Sequence, residues 1–257
     1  MASEEQTHTT RHSFVHNVSG LVGHAEVLGL HGSSAARFLA GLLAPSSSAI
    51  LIVVADLDQA RQLAAELAFF STSPERVRLF PHWEMAPYEP LIPHSEIEAT
   101  RLATLYGLLR DEVDAVVTTP AALQQRIIPR QALQTLCEEL VVEEEYDRHQ
   151  LQQRLHDLGY RAVPLVEDRG TYSFRGDILD LFPPTLEQPV RIDFFGDFIE
   201  QMRVYDALTQ RSGEQRLDTL TLLPSREMVL TGDYLEQFSQ QLKQRCDALE
   251  LPRTKRE

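Results

Sequence analysis

Hydrophobic and polar positions follow two different periods along this chain. In the first half, short apolar runs alternate with segments in which apolar residues recur every three or four positions. The run 49–55 is continuous, rich in β-branched residues and too short for a helix, which is typical of a buried parallel strand. Asp56, three residues before Gln59, provides a capping pair that begins a helix. Further strands are predicted at 77–80 and 115–119, and a further helix at 95–109.

A proline-rich segment interrupts this alternation between Pro81 and Pro93. Its four prolines predict an extended loop, which Trp83 and Tyr88 are expected to pin to the body of the domain. Because strands and helices alternate on both sides of this loop, the sequence predicts an α/β domain built on a mostly parallel sheet with helices on its faces.

The period changes in the second half, where strands follow one another without long helices between them. Asp147 is predicted to cap a short helix that Gly159 ends. Gly196 and Asp197 suit a tight hairpin turn between the last two of the strands that follow. These strands are predicted at 161–166, 171–174, 178–182, 190–195 and 199–204. The pattern indicates a smaller α+β domain inserted into the first.

Domain limits follow from these patterns. The predicted limits are 13–140 for the first domain, 141–212 for the inserted domain and 213–257 for a return to the first domain. In that return, a strand at 217–223 is expected to join the first sheet, and Thr231 to cap a long amphipathic helix. The charged end 252–257 completes no element, so we expect that the chain is part of something longer.

The charge balance narrows the choice of partners. With 38 acidic against 24 basic residues, the net charge is −14, so the chain as a whole repels phosphate backbones and proteins are the expected partners. The acidic residues within 138–147 predict a solvated connector. Cys137 and Cys246 form neither a zinc motif nor a disulfide framework. Without a signal peptide or a long apolar run, we expect a cytoplasmic monomer that contacts no membrane.

A degenerate phosphate loop lies near the start of the first domain. The stretch from Gly29 to Ala36 stands where a nucleotide-binding α/β protein places Gly-x-x-x-x-Gly-Lys-Ser/Thr. Gly29 fits and a helix begins near Gly32, but Ser34 replaces the second glycine, Ala35 the lysine and Ala36 the hydroxyl residue. Without lysine and hydroxyl, the loop cannot neutralise a transferred phosphoryl group. We therefore expect no ATP hydrolysis and no cofactor bound by this chain.

No other catalytic constellation is found in the sequence. Neither His-Glu-x-x-His nor Gly-x-Ser-x-Gly occurs. Asp177, Asp180, Asp193 and Asp197 could serve a metal-dependent nuclease, but strand alternation places some of them on opposite faces of a sheet, which favours solvated carboxylates. The sequence therefore predicts neither a catalytic residue nor a metal site.

Two stretches of the second half resemble a known family. Residues 175–183, Arg-Gly-Asp-Ile-Leu-Asp-Leu-Phe-Pro, and 190–197, Val-Arg-Ile-Asp-Phe-Phe-Gly-Asp, are similar to the second domain shared by UvrB and the transcription-repair coupling factors. The resemblance covers most of 147–226 in consistent order and spacing. UvrB has an intact phosphate loop, whereas 29–36 is degenerate and 80–88 is similar to the coupling factors. The chain therefore resembles their amino-terminal, UvrB-homologous module.

The resemblance implies recruitment of UvrA, in nucleotide excision repair, to lesions where RNA polymerase has stalled. It also implies a RecA-like first domain without ATPase activity, while RNA polymerase, DNA, ATP and magnesium bind other parts of the family's longer proteins. The family's UvrA contacts carry over to Arg161 and Arg175; Ser173 replaces a further arginine of UvrB, which predicts weaker binding. Beside them we expect Arg169 as another guanidinium for partner carboxylates and Phe174 as an apolar anchor.

Two alternatives stay open. A fragment of a UvrB-type ATP-dependent repair helicase requires a phosphate-loop lysine where Ala35 stands. A DNA-clamping structural domain would stack bases on Trp83 and Tyr88 and contact phosphates through Arg126 and Arg130. The net charge of −14 argues against the DNA clamp.

Overall fold

The chain forms a mixed α/β structure with two compact units. The computed structural model describes residues 23–24, 26–43, 48–85, 94–228 and 232–249, without the side chains of 232–237. The first unit ends at Gln134 and the second begins at Thr135. Parallel and antiparallel strands are both present, so the predicted α/β class is confirmed at this level. No helix in the described ranges has the length and apolar character needed to cross a membrane.

The first unit alternates helices with strands. Its helices are α1 (Ser34–Leu43), α2 (Leu57–Phe70), α3 (Ser95–Leu109) and α4 (Pro120–Leu123), and α5 (Arg130–Leu136) begins in it and ends in the second unit. Strands β1 (Ile50–Val53), β2 (Val77–Phe80) and β3 (Ala115–Thr118) form a parallel sheet in the order β1–β3–β2. The parallel sheet predicted for this half of the chain is confirmed.

Burial on both faces explains why the central strand of this sheet is a continuous apolar run. Val117 packs with residues of α1 and α2 on one face, and Val116 with Phe80 and residues of α3 and α4 on the other. Asp56 begins α2 as predicted, because its carboxylate accepts a hydrogen bond from the backbone N–H of Gln59 at 2.9 Å. The apolar run at 49–55 forms the parallel strand β1, but the prediction that it is buried is wrong, because β1 lies at the edge of the described sheet and Leu51 and Val53 are 56% and 46% exposed.

A buried arginine holds the start of the proline-rich loop. The Nη1 atom of Arg101 donates to the carbonyl of Pro81 at 2.7 Å, and its guanidinium lies 5.0 Å from the ring centroid of Trp83. The backbone N–H of Trp83 donates to the side-chain oxygen of Gln125 at 2.9 Å. Trp83 is thus held against the first unit, as predicted, whereas Tyr88 lies outside the described residues.

The second unit is built mainly of antiparallel strands. Its helices are α6 (Arg148–Asp157) and α7 (Gly232–Ala248), and its strands are β4 (Glu138–Val141), β5 (Arg161–Ala162), β6 (Thr171–Arg175), β7 (Ile178–Phe182), β8 (Val190–Phe195), β9 (Phe198–Tyr205), β10 (Ser212–Leu217) and β11 (Thr219–Leu222). Six strands form a sheet in the order β10–β9–β8–β7–β6–β5, antiparallel except for the β5–β6 pair. β4 and β11 form a separate antiparallel pair.

Alternation along the strands divides the six-stranded sheet into two faces. One face is apolar and contributes most of the second core, which includes Leu151 and Leu155 of α6. Its sheet residues include Tyr172, Leu179, Leu181, Ile192 and Met202. The opposite face, called the polar face below, carries Ser173, Arg175, Asp180, Arg191, Asp193 and Arg203. Because successive side chains of a strand point to opposite faces, core residues and charged residues alternate along the same strands.

The predicted ends of α6 are confirmed. The carboxylate of Asp147 accepts hydrogen bonds from the backbone N–H groups of His149 and Gln150 at 2.9 and 3.0 Å. Gly159 follows the helix with a φ of 86°, in the left-handed region that a glycine adopts without strain. Gly196 has a φ of 64° in the tight turn between β8 and β9, so the predicted hairpin also forms.

Two predictions about the ends of the second unit are wrong. The acidic stretch 138–147 is not wholly a solvated connector, because its first four residues form β4, in which Leu140 is fully buried. The strand predicted at 217–223 forms as β11, but it pairs with β4 and not with the first sheet. In this pair Leu140 lies opposite Leu220, which is 3% exposed, so pairing buries both leucines in the second core. Because β4 begins with two acidic residues, residue type alone does not predict this strand.

Other differences are smaller. The strand predicted at 161–166 is limited to β5, and β10 is not predicted because its sequence, Ser-Gly-Glu-Gln-Arg-Leu, is mostly polar and forms a strand by pairing with β9. The predicted cap of α7, Thr231, lies outside the described residues. The domain limits 13–140, 141–212 and 213–257 stay predictions.

Candidate partner-binding surface

Two of the predicted partner residues share one face at the edge of the six-stranded sheet. β5 is the edge strand, and the backbone N–H of Arg161 donates to the carbonyl of Gly170 at 3.0 Å. Arg161 is in register with Thr171, so its side chain lies on the same face as that of Arg175 at the other end of β6. Both arginines are exposed. At about 3.3 Å per residue, their positions are about 13 Å apart along the strand direction.

A buried carboxylate ties Arg175 to the polar face. The Nη2 atom of Arg175 donates to Oδ2 of Asp180, whose side chain is 1% exposed. Arg191 donates to the same carboxylate with Nε at 2.7 Å and Nη2 at 3.0 Å, and this hydrogen bonding raises the pKa of Arg191. The guanidinium of Arg191 lies 4.7 Å from the ring centroid of Tyr205, whose pKa is raised by burial. Asp180 thus joins two arginines, one of them exposed.

A second carboxylate on the polar face, that of Asp193, also accepts hydrogen bonds from neighbouring strand residues. Oδ2 of Asp193 accepts hydrogen bonds from Nη2 of Arg203 and from the side-chain amide of Gln201, both at 2.8 Å. Asp180 and Asp193 are therefore satisfied by basic and amide donors, and they are not the solvated carboxylates that the sequence predicts.

Arg169 is largely buried. Its side chain is 11% exposed, its Nη2 atom lies 3.2 Å from a carboxylate oxygen of Glu187, and its guanidinium is 5.6 Å from the ring centroid of Phe182. These contacts use the guanidinium within the protein itself. The predicted role of Arg169 in partner binding stays a prediction, and its burial argues for a structural contribution.

Phe174 lies on the face opposite to Arg175. Its ring packs partly against the second core, with ring centroids of Tyr172 and Phe194 at 6.2 and 6.5 Å. The structure therefore does not bring Phe174 beside the two exposed arginines, because successive residues of a strand point to opposite faces. Its predicted role as a partner anchor also stays a prediction.

The two remaining aspartates of the predicted carboxylate set lie in turns. Asp177 and Asp197 each contact Arg148 of α6, with N–O distances of 2.8 and 3.6 Å. They do not share the ion pairs of Asp180, whose carboxylate contacts Arg175 and Arg191. Within the described ranges, no group of three or more His, Cys, Asp or Glu side chains could hold a metal ion.

The degenerate phosphate loop forms a turn before α1. Gly29 and Gly32 have positive φ values of 80° and 53°. The hydroxyl of Ser34 accepts a hydrogen bond from the backbone N–H of His31 at 2.6 Å and donates to its carbonyl at 2.7 Å. Ala35 and Ala36 therefore stand in the first turn of the helix with methyl side chains, and Ala36 is fully buried.

The polar-face network could be found only in part from the sequence. Alternation along β7 and β8 identifies Asp180, Arg191 and Asp193 as residues that point away from the core. Which arginine meets which carboxylate depends on the register of strands β6 to β9, and this register is a property of the folded sheet.

Comparison with known proteins defines the class of the second unit. Residues 139–228 match the family described as the UvrB interaction domain. This range includes all of β4 except its first residue, strands β5 to β11, and all four predicted partner residues. Residues 139–228 of the second unit are therefore similar to the UvrB interaction domain family.

The chain as a whole is homologous to part of the transcription-repair-coupling factors, as the resemblance implied. It is 34% identical over 233 residues to the factor of Myxococcus xanthus, covering 88% of this chain and 19% of the relative. With the factor of Escherichia coli it shares 31% identity over 220 residues, which is 85% of this chain and 19% of the relative. The Mycobacterium bovis factor is 34% identical over 219 residues, 82% of this chain and 18% of the relative. The chain thus spans about a fifth of these relatives.

Proposed function

We propose that this chain is a non-catalytic adaptor of a transcription-repair coupling factor, which binds UvrA and recruits it to lesions where RNA polymerase has stalled. The observation that carries this proposal is the position of Arg161 and Arg175, which are exposed on one face at the edge of the UvrB interaction domain. Guanidinium groups form directed hydrogen bonds with carboxylates, so this face suits acidic groups of a partner protein.

The first unit contributes the scaffold in this proposal. We infer that it derives from a RecA-like domain that has lost its ATPase activity, because a parallel sheet follows a loop with Ala35 and Ala36 in place of the lysine and hydroxyl. This chain therefore binds no ATP or magnesium; the motor activity, the polymerase contact and the DNA contact belong to other parts of the parent protein. A coupled assay of phosphate release should show no turnover, and robust hydrolysis by the purified chain would contradict the inference.

Binding of purified UvrA tests the adaptor function. Isothermal titration should give a measurable affinity for the wild-type chain and a loss of tenfold or more for Arg161→Ala plus Arg175→Ala, since one charged hydrogen bond contributes about 1.5–3 kcal/mol. Circular dichroism would check that the variant is folded. Arg126→Ala plus Arg130→Ala is the matched control, because it removes the same charge from exposed positions of the first unit.

The outcomes separate the candidate surfaces. Equal losses in both double variants would show a nonspecific charge effect, and retained binding in the Arg161/Arg175 variant would place the UvrA surface elsewhere. No binding by the wild-type chain would overturn the adaptor proposal. Tight binding of duplex DNA at low salt that the Arg126/Arg130 variant loses would instead favour the DNA clamp.

A further inference from the structure

Asp180 is an acidic group buried in the middle of a partner-binding surface. The residue is 0% exposed, and its carboxylate accepts one hydrogen bond from Arg175 and two from Arg191. A buried carboxylate is costly to hold unless charged donors satisfy it, so its position is determined by these arginines.

The contact with Arg191 gives Asp180 a fixed orientation. The two residues are directly opposite each other on β7 and β8, and the two hydrogen bonds of 2.7 and 3.0 Å join both carboxylate oxygens to Nε and Nη2. Arg191 is itself held over the ring of Tyr205 at 4.7 Å and has an 18% exposed side chain. Asp180 therefore presents its Oδ2 atom from a rigid position.

Arg175 receives the other contact to this oxygen. It is the last residue of β6, its side chain is 50% exposed, and Gly176 begins the turn that follows. Of its five N–H donors, the contact with Asp180 uses one on Nη2, so the rest can serve a partner. A long side chain at a hairpin end loses rotamer freedom on binding, and an internal ion pair removes part of this loss in advance.

We propose that Asp180 is a positioning residue, which holds the guanidinium of Arg175 in the orientation that binds a carboxylate of UvrA. The group of two guanidiniums and one carboxylate keeps one positive charge in excess, which complements a single acidic side chain. This inference rests on the proposed function, and it adds a residue that does not itself touch the partner.

A double-mutant cycle on UvrA binding tests the role. Asp180→Asn keeps the size of the side chain but weakens its hold on Arg175, and we expect the affinity to fall about fivefold to tenfold. In an Arg175→Ala background the same substitution should produce no further loss, because there is then no guanidinium to position. Glu138→Gln is the matched control: Glu138 also holds an arginine, Arg154, at 3.1 Å, on β4, and its loss should leave affinity within about twofold.

The cycle also excludes a merely structural role. A residue that only stabilises the fold would give either no loss of affinity in the folded protein or the same loss in both backgrounds, and either result would overturn the proposal. If Asp180→Asn does not fold, Asp180→Glu keeps the charge and displaces the carboxylate; it should weaken binding about threefold, again only when Arg175 is present. If Arg175→Ala itself binds like wild type, the contact assigned to Arg175 fails, and the positioning role fails with it.

Discussion

The hydroxyl of Tyr160 donates a hydrogen bond to the backbone carbonyl of Leu223 across 2.9 Å. Both residues are buried in the second unit, although 63 positions separate them in sequence. Burial raises the pKa of Tyr160 above its ordinary value of 10.0, so the hydroxyl keeps its proton and donates at neutral pH. This bond connects the end of α6 to the residue that follows β11.

Removing this bond should destabilise the second unit. Tyr160→Phe leaves the ring in the core but takes the donor from a buried carbonyl, so we expect the free energy of unfolding in urea to fall by about 1–2 kcal/mol. Tyr172→Phe is the control, since no hydrogen bond of the Tyr172 hydroxyl is found among the described residues and the ring is buried to a similar degree. Equal effects of the two substitutions would contradict the assigned role.

Leu155 should be among the most costly residues to truncate. It is fully buried where α6 packs against the six-stranded sheet, so Leu155→Ala leaves a cavity and should cost about 2–5 kcal/mol in urea unfolding. Leu208→Ala removes the same atoms from a side chain that is 89% exposed and should change stability by less than about 0.5 kcal/mol. A small effect at Leu155 would mean that α6 is not packed as described.

Acid should weaken the start of α6 through Asp147. Hydrogen bonds from the backbone of Gln150 and His149 lower the pKa of Asp147 below its ordinary value of 3.8. Since the folded pKa is depressed, the stabilisation is fully present above the unfolded pKa and is lost as the pH falls through the folded pKa. Urea midpoints between pH 5 and pH 2 should show a smaller acid dependence for Asp147→Asn, which keeps a capping oxygen without a charge. An unchanged pH profile would contradict this account.

Cys137 should react unusually slowly with thiol reagents. Burial raises its pKa from 9.0 to about 11, so the reactive thiolate is about 0.1% of the thiol at pH 8. In a Cys246→Ser background, the rate with a disulfide reagent should rise about tenfold per pH unit from pH 8 to pH 10. The chain unfolded in urea should react roughly a hundredfold faster at pH 8. A folded-state rate that levels off below pH 10 would show that the thiol is not desolvated.

Local signals in the sequence account for much of the fold. The caps at Asp56 and Asp147 act within three residues, and the helix at 95–109 and the strand at 77–80 form within the predicted limits, because each depends on neighbours along the chain. β4 is not predicted because two of its four residues are acidic, and β10 is not predicted because it has few apolar residues of its own. Both need a partner strand to form.

The candidate partner-binding surface is likewise predicted only in part by the sequence. A motif resemblance identifies Arg161 and Arg175, while the contact of Arg175 with Asp180 and the separation of Phe174 from both arginines depend on pairing between strands. Residue type alone predicts that all four side chains serve a partner. The folded chain places the two exposed arginines on one face of the sheet, Phe174 on the other, and Arg169 in an ion pair with the exposed Glu187.

The sequence by itself determines the alternating strands and helices of the first half, the core positions of α6 and most of the six-stranded sheet, and the absence of a phosphate-loop lysine, since these follow from residue type and period. The tertiary structure alone decides that β11 pairs with β4 and that Asp180 lies between Arg175 and Arg191. Strand pairing decides these contacts because hydrogen bonds between segments distant in sequence set the register of each strand. If a strand shifted its register by one residue, its charged side chains on the polar face would point into the core.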